Sequence, residues 1–98
     1  MDEKFTKWDP VDHLTTAEDM AIYLEACLDD DPGDGSLIRA ALNDISRARG
    51  MSQLARDTGI SREGLYRALG PDGNPEFATV LKVIKSLGLR LHAEVAHR

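Results

Sequence analysis

Ser61, Arg62, Glu63, Tyr66 and Arg67 fall at spacings that bring them onto one exposed face of a short helix. Together these side chains can recognise the edges of stacked bases without making or breaking a covalent bond. Arginine presents a fork of donors that bonds guanine O6 and N7 together, worth ~1–3 kcal/mol of discrimination. Arg62 and Arg67 lead that set. Tyr66 reaches a thymine methyl or a phosphate. Glu63 either accepts from cytosine N4 or restrains Arg67 through an i, i+4 pair. Ser52 and Gln53 stand at the start of the preceding helix, where unpaired backbone N–H groups suit phosphate.

Such a face needs two short helices that cross closely, and residues 51–69 have the required residue types. Ala55 is small and lets a second helix approach. Gly59, four residues on, takes the left-handed conformation that ends the first helix. Ile60 and Leu65 supply the apolar contacts, and Ser61 caps the second helix. This is the sequence form of a DNA-binding helix-turn-helix. Gly64 lowers helix propensity by ~1 kcal/mol relative to alanine, so its position points to a close approach, by DNA or by the neighbouring helix.

Bulk charge opposes this reading until its distribution is considered. The 98 residues carry a net charge of −5, yet residues 1–35 hold 11 acids against 2 lysines, and residues 36–98 hold 10 basic residues against 6 acids. Arginines 47, 49, 56, 62 and 67 surround the two short helices. Affinity for a duplex follows local phosphate contacts rather than total charge. The acidic first third, residues 9–34 above all, is either a face complementary to a basic partner or a solvated helix surface with an acidic loop.

Other classes lack their signals. His13, His92 and His97 are scattered without metal-ligand spacing. Cys27, the single cysteine, sits on an apolar stripe and reads as core. There is no glycine-rich phosphate loop and no nucleophile elbow. The expectation is a non-enzymatic protein without cofactor or metal. No run of 18 apolar residues marks a membrane span, and the N-terminus has no apolar segment of the signal-peptide kind. A single cysteine fits a reducing cytoplasm.

The remaining elements follow from periodicity. Thr15 and Glu18 form a capping box for a first helix running to about residue 28, with Met20, Tyr23, Leu24, Cys27 and Leu28 as its stripe. The acids at 29–31 oppose the helix dipole and end it. A second helix spans about 36–49, a third 52–58 and a fourth 62–69. Asn74 and Pro75 open a fifth as cap and first position, with Phe77, Val80, Leu81, Ile84 and Leu87 inward. Residues 89–95 alternate strictly, Leu89, Leu91, Ala93 and Val95 against Arg90, His92 and Glu94, as a half-buried strand does. That strand needs a partner, either the N-terminal segment or the same strand of a second copy. The expected architecture is all-α, five helices with a short C-terminal β-strand. It divides into an arm at 1–13, a helical domain at 14–88 and a strand with tail at 89–98. Within the arm, Phe5 and Trp8 belong to a weakly alternating stretch at 4–8. One recognition helix makes a small interface, and a homodimer sets two of them ~34 Å apart, one turn of DNA. Residues 77–87 and 89–95 are the candidate dimer surfaces.

Over about residues 10–91 the chain resembles the addiction-module antidote (antitoxin) family of helix-turn-helix proteins, often prophage-associated. The resemblance rests on Arg47-Ala48-Arg49-Gly50, Met51-Ser52-Gln53-Leu54-Ala55, the run from Gly59 to Leu69, and Gly73-Asn74-Pro75 with Phe77. It implies a fold of the Xre/Cro, lambda-repressor-like type. It also implies repression of the protein's own operon through double-stranded operator DNA, and a small basic RelE-like toxin as partner. The alternative is a stand-alone phage-type transcriptional regulator with no toxin.

Overall fold

A computed structural model describes residues 9–96. After a 3-10 turn at Pro10–His13 come five helices: α1 (Ala17–Asp30), α2 (Ser36–Arg49), α3 (Met51–Thr58), α4 (Arg62–Leu69) and α5 (Phe77–Ser86). Among the described residues there is no strand, and no helix is long and apolar enough to cross a membrane. The alternating stretch at 4–8, with Phe5 and Trp8, lies outside the described residues, as does His97.

The core forms around α2, which packs against each of the other four helices. Its Ala41, Leu42, Ile45 and Ser46 are buried. They meet Met20, Leu24 and Cys27 of α1, Met51 and Leu54 of α3, Leu65 and Leu69 of α4, and Val83 and Ile84 of α5. The helical periodicity read from the sequence places most of these residues correctly. Leu28, Phe77 and Leu81 are corrections to it. They are 42%, 68% and 42% exposed, on the margins of their helices rather than inward.

The α1 cap lies one residue later than Thr15 and Glu18 predict. Thr16 is the N-cap, with its Oγ1 accepting from the Asp19 N–H at 3.0 Å. In return the Asp19 carboxylate accepts from the N–H groups of Thr15 and Thr16 and from the Thr15 hydroxyl. In this register one carboxylate satisfies three donors, which explains the shift. Across the α1–α2 contact, the Tyr23 hydroxyl donates to Asp44 Oδ2 at 2.7 Å. Burial, followed by this bond and the Asp44 charge, pushes the Tyr23 pKa up. Burial also raises the Cys27 thiol, which belongs to the core.

Asp29 and Asp30 continue α1, and Asp31, its C-cap, has a sharper role than ending a helix. Asp31 accepts from the N–H groups of Gly33, Gly35, Leu37 and Ile38 at 2.8, 2.9, 2.9 and 3.2 Å. The N-cap of α2 is Gly35, which has φ 81° and no side chain to offer, so Asp31 caps the helix from a distance. Partial burial works to raise its pKa. The four backbone bonds outweigh that effect and hold the carboxyl below its ordinary 3.8. A folded-state pKa below the unfolded one stabilises the fold above the unfolded value, and that stability is lost as pH falls through the folded value. The melting temperature is therefore expected to be level above about pH 5 and to fall below about pH 4. In Asp31→Asn it should be lower at neutral pH and depend less on acid. Thermal melts across that range check both.

Two expectations near the C-terminus fail for identifiable reasons. The N-cap of α5 is Glu76, not Asn74, and the first helical bond runs from Val80 N–H to the Glu76 carbonyl at 3.1 Å. Residues 74–76 are used as a link after the turn closed by Gly73 N–H and the Gly70 carbonyl, and α5 packs on α3 and α2. Local capping preference gives way to that packing. The C-terminal strand does not form. Gly88 takes φ 78°, and Leu89 N–H returns to the Ile84 carbonyl at 3.1 Å. Beyond it, residues 90–96 make no hydrogen bond among the described residues and are exposed. A strand requires a second edge, and the described residues supply none.

Candidate nucleic-acid interface

The α3–turn–α4 unit is built much as its residue types require. Gly59, at φ 76°, donates its N–H to the Ala55 carbonyl at 3.0 Å and ends α3 in the left-handed conformation. Thr58 reinforces the turn in a way the sequence reading missed. Its hydroxyl donates to the Leu54 carbonyl at 2.8 Å and accepts from Ile60 N–H at 3.1 Å. A threonine beside a C-terminal glycine was the available signal. Ser61 caps α4, with Oγ accepting from Gly64 N–H at 2.9 Å. The inward face of α4 is anchored by Leu65 and Leu69, both fully buried.

Gly64 is explained within the unit itself. A Cβ there would lie 3.0 Å from Ser61 Oγ and 3.2 Å from Ile60 Cγ2. A methyl there would press on the cap oxygen and on Ile60, and both side chains would have to give by a few tenths of an ångström.

With these anchors in place, Ser52, Ser61, Arg62, Glu63, Tyr66 and Arg67 are all exposed, and Gln53 is half-buried. The structure therefore brings the α4 candidates onto one accessible face. The Arg62 guanidinium lies over the Tyr66 ring, 5.8 Å from its centroid, a cation–π contact that orients the fork. Among the described residues neither Arg62 nor Arg67 has a carboxylate within 4.0 Å, so the Glu63–Arg67 pair is not formed. Ser61 differs from the others in that its oxygen is already occupied as the cap acceptor.

The other cationic groups divide by role. The Gln53 amide donates to Asp57 at 2.9 Å and its carbonyl oxygen accepts from Arg56 at 2.8 Å, so both side chains are held along the α3 surface. Arg47 is tied to Asp44 at 2.9 Å and lies 3.8 Å from Asp9, which removes it from the cationic set read from the sequence. Arg39 was absent from that set and proves structural. Its guanidinium donates to the Leu69 carbonyl at 2.7 Å, closing the C-terminus of α4 against α2. Two long side chains from α2 and α4 thus have opposite fates, Arg39 immobilised and Arg67 available.

A family model described as a probable addiction module antidote protein matches residues 4–95. A protein of Haemophilus influenzae Rd described only as an uncharacterized protein is 51% identical over 94 residues, covering 96% of this chain and 95% of that relative. No solved structure matches. The matched span takes in α1 to α5, the turn at 59–61 and the unpaired segment that follows α5.

Proposed function

The chain belongs to the family of probable addiction module antidote proteins, and from that premise we propose that it is the antitoxin of a type II toxin–antitoxin module. It binds operator DNA as a dimer to repress its own operon, and it neutralises a small, basic, RelE-like toxin in the cytoplasm. The observation that carries the DNA half of this reading is the α4 face. Arg62 and Arg67 are exposed there, with no carboxylate partner among the described residues, in the first and last turns of a capped helix whose other side is buried. Placed in a major groove as in other helix-turn-helix proteins, that helix presents both guanidinium groups to base edges. Ser52 and the first turn of α3 meet the phosphate backbone. Gln53 joins them by exchanging its Arg56 or Asp57 bond.

The toxin half rests on the family and on α1. Its outer surface carries Glu18, Glu25, Asp29 and Asp30 around Ile22, which is 69% exposed. An acidic rim around an apolar contact suits a basic partner, with the charges steering encounter. Glu18, Glu25 and Asp29 are exposed, so replacing all three with lysine leaves the core intact. That variant is expected to lose at least about 10-fold in toxin affinity while keeping its affinity for operator DNA. Titrating the variant against the toxin and against the upstream duplex tests the division of labour. Equal loss of both would show that α1 is not the toxin surface.

A further inference from the structure

We propose that residues 89–95 pair with the same segment of a second copy as an antiparallel two-stranded ribbon, in the register that sets His92 against its counterpart. This deepens the dimeric reading above and rests on it for the need of a second copy. The segment leaves α5 through Gly88, and only its first residue is anchored: Leu89 is half-buried against the core. From 90 to 96 the backbone donors and acceptors have no partner among the described residues. Leu91 is 44% exposed and Val95 80%. An unpaired row of N–H and C=O groups with alternating apolar side chains is a template for another strand.

The order of residues selects which strand. Directly opposed residues in an antiparallel pair project to the same face, so apolar must meet apolar. Only registers in which odd-numbered residues face odd-numbered ones allow this. Centring on His92 matches all seven residues. Leu89 faces Val95 of the partner subunit, and Leu91 faces Ala93 of the partner subunit. Arg90 faces Glu94 of the partner subunit, and the two-fold axis repeats that pair, giving two opposite-charge contacts. Sliding the centre to Leu91 sets Arg90 against His92 of the partner subunit and leaves Glu94 facing a glycine. Sliding it to Ala93 leaves Arg90 facing an alanine. The segment is thus self-complementary in charge and polarity at full overlap, which favours a second copy of this chain over the sheet edge of an unrelated protein. Two strands alone hold together weakly. Here the ribbon has apolar surface beside it: Leu91 lines a groove of about 460 Å³ together with Leu28, Ile38, Phe77 and Val80.

Paired residues in such a ribbon lie roughly 4.5–5.5 Å apart between Cα atoms, within reach of a disulfide. Residues four positions out of register are roughly 13 Å apart and beyond it. In the full chain at pH 8, with the buried Cys27 left in place, His92→Cys is expected to form a covalent dimer under mild oxidation. Arg90→Cys alone and Glu94→Cys alone should not, whereas an equimolar mixture of the two should cross-link. By sedimentation, Arg90→Glu and Glu94→Arg should each weaken dimerisation by about 10-fold, and the double exchange should restore it to within about 3-fold. All three positions are exposed, so the variants keep their fold. Self-cross-linking of Arg90→Cys, failure of the double exchange to restore association, or a monomeric chain at tens of micromolar would overturn the ribbon. An intact ribbon in a chain that binds neither operator nor toxin would count against the proposed function instead.

Discussion

Replacing Arg62 and Arg67 together with alanine is expected to lower operator affinity by at least about 100-fold. Each arginine that meets a guanine contributes ~1–3 kcal/mol, and every ~1.4 kcal/mol is tenfold in affinity. Neither side chain is in the core, and neither carries an ion pair among the described residues. The far-UV circular dichroism and the melting temperature should therefore stay close to those of the parent, as for surface substitutions in general. The salt slope of binding should flatten for any arginine that meets a phosphate rather than a base. Anisotropy titrations with the upstream duplex at two salt concentrations separate these cases. Toxin binding should survive, because α1 lies on another part of the molecule. Affinity within a few-fold of the parent would show that α4 is not the reading element.

The second large effect runs through the core. Leu65 is fully buried at the centre of α4, and its truncation to alanine leaves a void beneath the α4 face. Such changes cost ~2–5 kcal/mol, against a total of roughly 5–15 kcal/mol for a domain of this kind. Leu65→Ala should therefore melt well below the parent and lose DNA and toxin binding together, in contrast to the arginine pair. Chemical denaturation followed by tryptophan-independent circular dichroism gives the cost. A change under about 0.5 kcal/mol would mean that α4 is not anchored as described.

The contrast between these variants shows which parts of the molecule local sequence specifies. Helices α2 and α4 start and end where periodicity and capping put them, because apolar spacing, Ser61 and Gly59 act within a few residues of each other. The α4 face was legible for the same reason, since burying Leu65 and Leu69 turns Arg62, Tyr66 and Arg67 outward. What escaped depends on residues distant in the chain or on competing local partners. Whether an arginine is available was not readable from its charge: Arg39 is drawn to the Leu69 carbonyl thirty residues away, and Arg47 to Asp9 and Asp44. Asp31 looked like one acid in a run, yet it holds four backbone N–H groups because Gly35 cannot cap α2. The start of α5 moved past Asn74 and Pro75 because packing on α3 and α2 overrode the local signal. Alternation at 89–95 predicts a strand that the described residues do not form, because a strand is a relation between two segments.

The α4 surface is expected to meet a duplex, and the direct measurement is equilibrium binding of the parent protein to the DNA upstream of its own gene. A scrambled duplex of equal length serves as the competitor, across a range of salt. Preference for the upstream duplex by at least about 1,000-fold, with log affinity falling linearly as log salt rises, is the predicted result. Equal affinity for both duplexes, or no binding at 50 mM salt, would contradict it.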